Sequence, residues 1–332
     1  NISRQIVWGI RIPAWQCDKC FEWNITDGRT PKNCKNCGHE NLTQDLDTFD
    51  TWFSSSQWPY ATLLSNSKSK AKIRKSEVPI GIASSEDFDY FYPTSVMETG
   101  YDILPFWVIR MIMLGLYATG EVPFKEVLLH GLVRDAKGEK ISKSKGNVID
   151  PIEMAEKYGA DALRMGLIWG TLIENDIALS EDNIRGQRNF SNKIWNIARF
   201  MQLSFEGTDF QVSFYPEKTR GRLSVEDKLI LQKLKNTISG VTKNLNKYRL
   251  SEAAELLYKF IWNELADKYL ESIKRRPDKT IALSVFRHVL LTSLILLHPF
   301  MPFVTEAVWQ EVKSLRKYPE QPLIVSSWPK AS

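Results

Sequence analysis

The spacing of apolar residues predicts a strand, a helix and a second strand in the first half of the sequence. A short apolar segment, TSVMET, is followed by a nearly continuous apolar run at 102–118 and then by EVLLHGLVRD. The apolar run fits a helix buried on most of its surface, and the two flanking segments fit buried strands. Such a βαβ unit predicts two parallel strands joined by a right-handed crossover.

Beyond Pro151, strand patterns nearly vanish and helical patterns follow one another. Short helices are predicted in DPIEMAEKYGADALRMGLIWG, and longer ones at 182–203, 224–249, 251–273 and 281–298, with a last helix after HPFMPF. In residues 224–249, Ser224 is a candidate N-cap. Apolar residues recur there every three or four positions, at Ile230, Leu234, Ile238, Val241, Leu245 and Tyr248. We expect a bundle of about five helices.

These patterns predict an α/β region followed by an all-α region. Residues 1–45 are polar and rich in turns, which indicates a small knuckle with hairpins. Residues 46–180 are expected to hold a partial parallel sheet, and residues 181–332 the helical bundle. A basic segment at 64–78 is predicted to be a solvated insertion, with a nucleic-acid contact as the alternative.

The composition adds little to the choice of protein class or partner. A length of 332 residues favours two or three domains, and 43% hydrophobic with 25% charged residues is typical of globular proteins. A net charge of +5 permits a polyanionic partner without requiring one. No stretch reaches about 18 uninterrupted apolar residues, and no signal peptide is visible. We therefore expect a cytoplasmic protein with no membrane partner.

All four cysteines lie in the predicted knuckle. Cys17, Cys20, Cys34 and Cys37 form two C-x2-C pairs. Four thiolates at this spacing predict a closed, tetrahedral, structural Zn²⁺ site. Two disulfides or a redox pair are the alternatives, which a cytosolic setting disfavours. His39 follows the last cysteine and is expected to be a bystander.

A lysine-rich loop follows the second predicted strand. RDAKGEKISKSKGNVIDP places Lys140, Lys143 and Lys145 between serines and glycines. Open α/β sheets bind ligands at the carboxyl ends of their strands, where ammonium groups can hold phosphates as point charges. A flexible loop of this kind could close on a triphosphate and stabilise the leaving pyrophosphate. A solvated basic loop is the alternative reading of the lysines alone.

The segments around this loop resemble the class I aminoacyl-tRNA synthetases, and the valyl members in particular. KISKS followed by GNVIDP is similar to the KMSKS signature, with Ile141 in place of the usual Met. DTWFSSSQWP, TGYDILPFWVIRMIMLGL, EVPFKEVLLHGLVRDAKG, DPIEMAEKYGADALR and HPFMPFVTEAVW extend the resemblance, in order, over nearly the whole chain. It implies that residues 46–180 are the second half of a Rossmann-like catalytic domain and that residues 181–332 bind the anticodon.

The resemblance also assigns roles to single residues. Lys140, Ser142, Lys143 and Ser144 would form the catalytic signature loop, with Lys143 on the ATP phosphates. His130 and Gly131 would lie beside the adenosine. Trp52, Asp102 and Ile103 would line the amino-acid pocket, where an apolar wall suits a branched side chain and a carboxylate suits its ammonium group. Core packing is the alternative for Trp52 and Ile103, and a helix N-cap for Asp102.

The implied reaction joins valine to ATP as valyl-adenylate and transfers it to tRNA(Val), with Mg²⁺ and structural Zn²⁺ as cofactors. No HIGH-type tetrapeptide occurs, and most of the editing domain and the terminal coiled-coil arm have no counterpart. We therefore expect an incomplete, inactive portion that needs a separate N-terminal half. Isoleucine specificity and a non-catalytic tRNA-binding module are the alternative functions.

Basic residues of the helical half are candidates for tRNA phosphate contacts, although most are expected to be solvated. They are Arg185, Arg188, Lys193, Arg199, Lys233, Lys235, Lys243, Lys247, Arg249 and the turn at 273–279. Trp262 and Tyr269 could stack on anticodon bases, but their helical spacing favours core packing.

Overall fold

The computed structural model describes residues 1–63, 85–141, 146–205, 223–277, 279–312 and 321–331. These residues form two compact units, Asn1–His130 and Gly131–Ser332.

The first unit begins with five short strands: β1 (Ser3–Arg4), β2 (Ala14–Cys17), β3 (Trp23–Ile25), β4 (Leu42–Gln44) and β5 (Thr48–Phe49). Strand β2 lies between β3 and β4, and β1 pairs with β5, all antiparallel. Three short helices follow, α1 (Thr51–Ser55), α2 (Trp58–Ala61) and α3 (Glu86–Phe91). The hairpin knuckle expected from the first 45 residues is therefore present.

The βαβ unit completes the first unit. Strand β6 (Thr94–Gly100) leads through a 3₁₀ turn (Tyr101–Ile103) and a π-helical turn (Leu104–Val108) into α4 (Ile109–Thr119), and β7 (Phe124–His130) returns. The strands are parallel, with Thr94 opposite Phe124 and Gly100 opposite His130. The helix N-cap considered for Asp102 is wrong, because this residue lies within the 3₁₀ turn, well before α4 begins.

The second unit opens with a parallel pair of very short strands and three helices. Strand β8 (Val133–Arg134) pairs with β9 (Ile177–Ala178). Between them lie α5 (Pro151–Tyr158) and α6 (Ala160–Ile168), and α7 (Glu181–Phe205) follows β9. Pro151 at the first position of α5 and Asp150 as its N-cap explain why this helix starts here, since Asp150 accepts from the N–H groups of Ile152 and Glu153.

The remaining helices form the predicted bundle with α7. They are α8 (Val225–Leu245), α9 (Leu250–Lys259), a π-helical segment (Phe260–Leu270), α10 (Glu271–Lys274), α11 (Thr280–Leu297) and α12 (Pro302–Glu311). Ser224 is the N-cap of α8, and it forms a reciprocal capping box with Asp227. Helix α11 is apolar enough to span a membrane by length and composition, but most of it is buried as the core helix of the bundle.

A buried polar network fixes the start of α8 to the rest of the bundle. The Tyr269 hydroxyl donates to Asp227 at 2.7 Å, and Arg276 donates to the same carboxylate at 2.7 Å. Burial raises the pKa of Asp227, but these two donors outweigh burial and hold the pKa below its ordinary value. Tyr269 is therefore a core residue, as its spacing favours, and Arg276 of the basic turn is bound within the protein.

Candidate functional site

The carboxyl ends of β6 and β7 lie side by side in the first unit. Gly100 is opposite His130, and the 3₁₀ turn that carries Asp102 and Ile103 leaves the sheet directly after Gly100. His130 Nε2 lies 3.0 Å from Glu98 Oε1. Asp102 is exposed and Ile103 is half-buried. The structure thus brings three of the predicted site residues to one end of this parallel strand pair.

Helix α1 places Trp52 beside the same segment of chain. The Trp52 ring centroid is 6.1 Å from that of Phe106, which lies in the π-helical turn three residues after Ile103. Asp50 holds the start of α1, because its carboxylate accepts from the N–H groups of Trp52 at 2.8 Å and Phe53 at 3.4 Å. The ion pair with Arg4 is the main reason that the pKa of this buried Asp50 is lowered.

Trp107 is a feature of this turn that the sequence reading did not select. Its indole Nε1 is buried and has no hydrogen-bond partner within the part of the chain that the structure describes. Burying a donor without an acceptor is costly, so such groups are uncommon in native proteins. Trp107 lies in the π-helical turn that follows Asp102 and Ile103.

The second unit begins at Gly131, and here only glycine fits. A Cβ added to Gly131 would lie 2.0 Å from the carbonyl oxygen of Asn175. The close approach continues at Asp176, whose carboxylate accepts from Leu132 N at 2.7 Å and forms an ion pair with Arg134. Gly131 is therefore required for the pairing of the segments that carry β8 and β9, whatever else it contacts.

Hydrogen bonds between the two flanking segments hold the ends of the lysine loop together. Asp135 accepts from the backbone N–H groups of Lys137 and Glu139, at 3.0 and 2.8 Å, and from the Asn147 side chain at 2.9 Å. Asn147 also donates to the Lys140 carbonyl at 3.2 Å. The Asn147 amide is the main cause of the lowered pKa of Asp135.

These contacts join the two ends of the loop, from Lys140 on one side to Asn147 on the other. Lys140 itself is exposed. Ser142, Lys143, Ser144 and Lys145 lie outside the described residues. Asp135 and Asn147 were missed in the sequence analysis, although the turn-forming segments DAKG and GN on either side of KISKS were a usable signal for a closed loop.

The four cysteines converge as predicted from their spacing. All four are free thiols, and their sulfur atoms lie within 4.8 Å of one another. Cys17 and Cys37 sulfurs are 3.6 Å apart, as are those of Cys20 and Cys34. A zinc ion with Zn–S bonds of about 2.3 Å in tetrahedral geometry separates its sulfurs by roughly 3.8 Å, so this donor set fits Zn²⁺.

Local hydrogen bonds prepare one of these thiols for ionisation. The backbone N–H of Cys37 has the largest effect on Cys34, and with the N–H of Asn36 and the amide of Asn24 it outweighs burial and lowers the pKa to about 6. Asn24 is buried beneath the cluster, where it also accepts from the N–H of Lys35 at 2.7 Å. At Cys37 the N–H of His39 favours the thiolate, but burial and hydrogen bonds to the other three thiols outweigh it and raise the pKa to about 12.

Two family models match the chain in succession. Residues 1–180 match the model of "tRNA synthetases class I (I, L, M and V)", and residues 227–332 match that of the "Anticodon-binding domain of tRNA ligase". The first match includes the cysteine cluster, the βαβ unit and the lysine loop. The second covers the bundle from α8 onward.

Curated valine–tRNA ligases are similar over almost the entire chain. Those of Clostridium acetobutylicum, Carboxydothermus hydrogenoformans and Geobacter sulfurreducens are 41%, 43% and 42% identical, each over 99% of this chain. The chain spans only 35% of the length of each of these relatives.

Solved structures agree on the fold. The ternary complex LeuRS–tRNA–LeuAMS of Agrobacterium radiobacter K84 aligns with a TM-score of 0.75 at 22% identity, covering 100% of this chain and 42% of that one. Methionyl-tRNA synthetase of Mycobacterium tuberculosis, in complex with methionyl-adenylate, aligns at 0.64 and 18% identity over 98% of this chain and 60% of that one. The α/β-plus-helical architecture is therefore that of these synthetases, and the chain belongs to the family of class I tRNA synthetases.

Proposed function

We propose that this chain is the carboxyl-terminal catalytic and anticodon-binding portion of a valine–tRNA ligase. The whole reaction would join valine to ATP, release pyrophosphate and transfer the valyl group to tRNA(Val) in the cytoplasm. The observation that carries this proposal is the identity of 41–43% to curated valine–tRNA ligases over 99% of the chain. The substrates belong to the complete enzyme, of which this chain represents about a third.

In the amino-acid pocket, we assign the apolar wall to Trp52 and Ile103 and the ammonium contact to Asp102. The contact of Trp52 with Phe106 supports this assignment, since it brings α1 next to the turn after β6. Asp102 is exposed and offers a carboxylate at the carboxyl end of a parallel strand, where α/β sheets bind ligands. An isoleucine pocket would need one more methylene of space, which discriminates by only about 1–3 kcal/mol.

For ATP, we assign the phosphates to Lys143, with Lys140, Ser142 and Ser144 completing the loop and His130 and Gly131 beside the adenosine. The hydrogen bond from Asn147 to Asp135 supports a loop whose two ends are held together. Mg²⁺ would accompany ATP and neutralise its phosphates. Cationic groups placed where charge develops on the leaving pyrophosphate would lower the barrier to adenylate formation.

The cysteine cluster is proposed to hold structural Zn²⁺. Cys17, Cys20, Cys34 and Cys37 are its four ligands, and when all four positions are filled by thiolates none is left open for catalysis. The metal would replace the apolar core that residues 14–44 are too few to form.

One exposed face of α7 is proposed to follow the tRNA backbone. Its residues are adjacent or three positions apart, and all are exposed: Arg185, Arg188, Asn189, Asn192, Trp195, Asn196 and Arg199. The sequence contains no acidic residue between 183 and 205, so nothing on α7 itself repels phosphate beyond its first turn. Lys193 pairs with Asp267 at 2.9 Å and lies over the Trp262 ring, so we exclude it from this face. Arg185 also forms an ion pair, with the exposed Asp182 in the first turn of α7 at 2.8 Å.

The remaining portion of the synthetase is the proposed occupant of an exposed apolar surface in the first unit. Helix α4 and the turn before it present a continuous apolar stripe to solvent, formed by Phe106, Ile109, Met113, Leu116 and Tyr117. In the first unit Val7 and Trp8 are also almost fully exposed. Apolar surface of this extent usually marks an interaction site. Two thirds of the length of the relatives lies outside this chain, which makes that portion the natural occupant.

Binding of tRNA to the isolated chain tests the proposal, since the bundle and α7 are present in it. We expect filter binding to retain tRNA(Val) in preference to tRNA(Ile), with an affinity that falls as salt rises. Anticodon changes in tRNA(Val) should weaken binding. A preference for tRNA(Ile) would favour the isoleucyl alternative, and equal retention of all tRNAs would favour a non-catalytic RNA-binding module.

A further inference from the structure

Asp161 of α6 caps a helix that lies more than 140 residues further along the chain. Its buried carboxylate accepts from the backbone N–H groups of Phe303 at 3.2 Å and Val304 at 2.6 Å, in the first turn of α12. Met301 occupies the N-cap position of α12, where the described structure has no side-chain hydrogen bond of its own. Asp161 therefore supplies from another helix the acceptors that α12 needs.

Arg164, one turn further along α6, binds the other side of the same corner. It donates to the carbonyl oxygens of Pro299 at 3.0 Å and Phe300 at 3.4 Å, just beyond the end of α11. An anion thus faces the positive amino end of α12, and a cation faces the negative carboxyl end of α11, as the helix dipoles favour. Within the corner, His298 Nδ1 lies 2.8 Å from Thr305 Oγ1.

Helix α6 is also connected to the lysine loop. Asn147, which closes the loop, is followed by Asp150 as the N-cap of α5, and α5 leads through Gly159 into α6. The chain passes from this helix pair through β9 into α7, a helix of 25 residues. Met165 of α6 lies in the core of the bundle, and Trp169 packs against that core. The polar contacts at the α11–α12 corner are directional, so they fix the angle of α6 more closely than apolar packing alone does.

We propose that Asp161 and Arg164 are positioning residues that hold the anticodon-binding bundle at a fixed angle to the loop-bearing helices, so that one tRNA contacts both at once. This inference rests on the proposed tRNA-binding function. When two binding surfaces are held at a fixed angle, the affinity rises for a ligand that contacts both surfaces. The affinity for a ligand that contacts only one of them does not change. Packing that merely stabilised the fold would not distinguish the two ligands.

The test compares a full-length tRNA(Val) transcript with its isolated anticodon stem-loop, both titrated against the chain. Asp161→Asn places an amide N–H where only an acceptor fits. We expect it to weaken binding of full-length tRNA by about tenfold and to leave the stem-loop affinity unchanged. Glu156→Gln removes one exposed negative charge from neighbouring α5 and serves as the electrostatic control, with both affinities expected to stay within about twofold.

Arg164→Lys provides a second, milder variant, because it removes the guanidinium fork but leaves the buried carboxylate in place. Like Asp161→Asn, it is expected to weaken binding of full-length tRNA and to leave the stem-loop affinity unchanged. If circular dichroism shows that Asp161→Asn does not fold, Arg164→Lys takes its place in the test. Equal weakening of tRNA and stem-loop, or no change in either, would overturn the positioning role. Failure of the wild-type chain to bind either RNA would instead overturn the proposed function on which that role rests.

Discussion

The two units of the molecule stabilise themselves in different ways. In Gly131–Ser332 one large apolar core runs through α7, α8, α9, α11 and α12. In Asn1–His130 the buried apolar residues fall into small separate groups, such as that of Tyr60, Phe88, Tyr92 and Ala118 and that of Met97, Val108, Met111 and Phe124. The first unit also exposes many large apolar side chains, including Trp8 and Met113.

The two units therefore depend on different sources of stability. The bundle buries its apolar residues in one continuous core, and burial of this kind is what lets larger domains fold without a metal or a partner. The first unit combines a thiol cluster suited to a metal with two parallel strands, and so short a parallel sheet is normally stable only as part of a larger one. The unit that carries the proposed amino-acid pocket is thus the one for which we propose two stabilising additions, a structural metal and the remaining portion of the synthetase.

The largest expected effect is confined to the first unit. Removing metal with a strong chelator, or replacing Cys17 by Ser, should unfold residues 14–44, since binding of structural zinc contributes on the order of 10 kcal/mol or more to such small folds. Hydrogen exchange by mass spectrometry should show loss of protection there and none in α11, which serves as the internal control. Unchanged protection of the knuckle without metal would contradict the proposed role of Zn²⁺.

Within the bundle, Phe286→Ala should cost about 3–5 kcal/mol in the free energy of unfolding, because Phe286 is fully buried and packs on Phe200. Urea denaturation of the chain measures this cost. Phe303→Ala is the matched control, since Phe303 is 64% exposed, and it should have little effect. Similar costs for the two variants would mean that the bundle core is packed differently.

A smaller effect is expected at the buried polar network. Asp227→Asn should destabilise the bundle by about 3 kcal/mol near neutral pH, because it leaves Arg276 without its buried partner. The folded pKa of Asp227 is lowered, so its stabilisation is fully present above the unfolded value of about 3.9 and is lost as the pH falls through the lower folded value. Unfolding measured between pH 2 and 6 should thus be less pH-dependent in the variant.

The control for that experiment is Asp267→Asn, which changes an exposed acid on the same bundle. Between pH 2 and 6, the free energy of unfolding of this variant should depend on pH as that of the wild-type chain does. If both variants flatten the pH dependence equally, the buried network is not its source.

The smallest effect concerns the surface. Lys157 of α5 forms an exposed ion pair with Glu181 at the start of α7. Glu181→Gln should leave the free energy of unfolding nearly unchanged, since exposed ion pairs contribute little and are screened by salt. A cost comparable to that of Phe286→Ala would show that stability in the second unit does not come mainly from its core.

How far the sequence alone predicts this molecule also differs between the units. The bundle followed from periodic apolar residues, and Ser224 was identified as an N-cap because its hydroxyl satisfies a local need. The cysteine cluster followed from spacing. Asp161 could not be found in this way, since its partners lie more than 140 residues away and only the folded chain brings them together.

Prediction of the candidate site was limited for the same reason, because some of its contacts form only in the folded chain. The strand order and the lysine loop could be read from local patterns, but Asp135 and Asn147 act through hydrogen bonds across a loop. The role considered for Asp102 as a helix cap failed because two irregular turns, with a proline at Pro105, separate it from α4. Such turns depend on packing and leave little trace in apolar periodicity.

The central claim is that this chain supplies one part of a valine-activating site and needs the rest of a class I synthetase to use it. Valine-dependent ATP–pyrophosphate exchange tests this directly, with the chain alone and with the N-terminal portion of the Clostridium acetobutylicum relative added. We predict no exchange by the chain alone, exchange with the added portion, and a loss of about a hundredfold for Lys143→Ala in the mixture. Robust exchange by the chain alone, or exchange in the mixture that does not depend on Lys143, would contradict the claim.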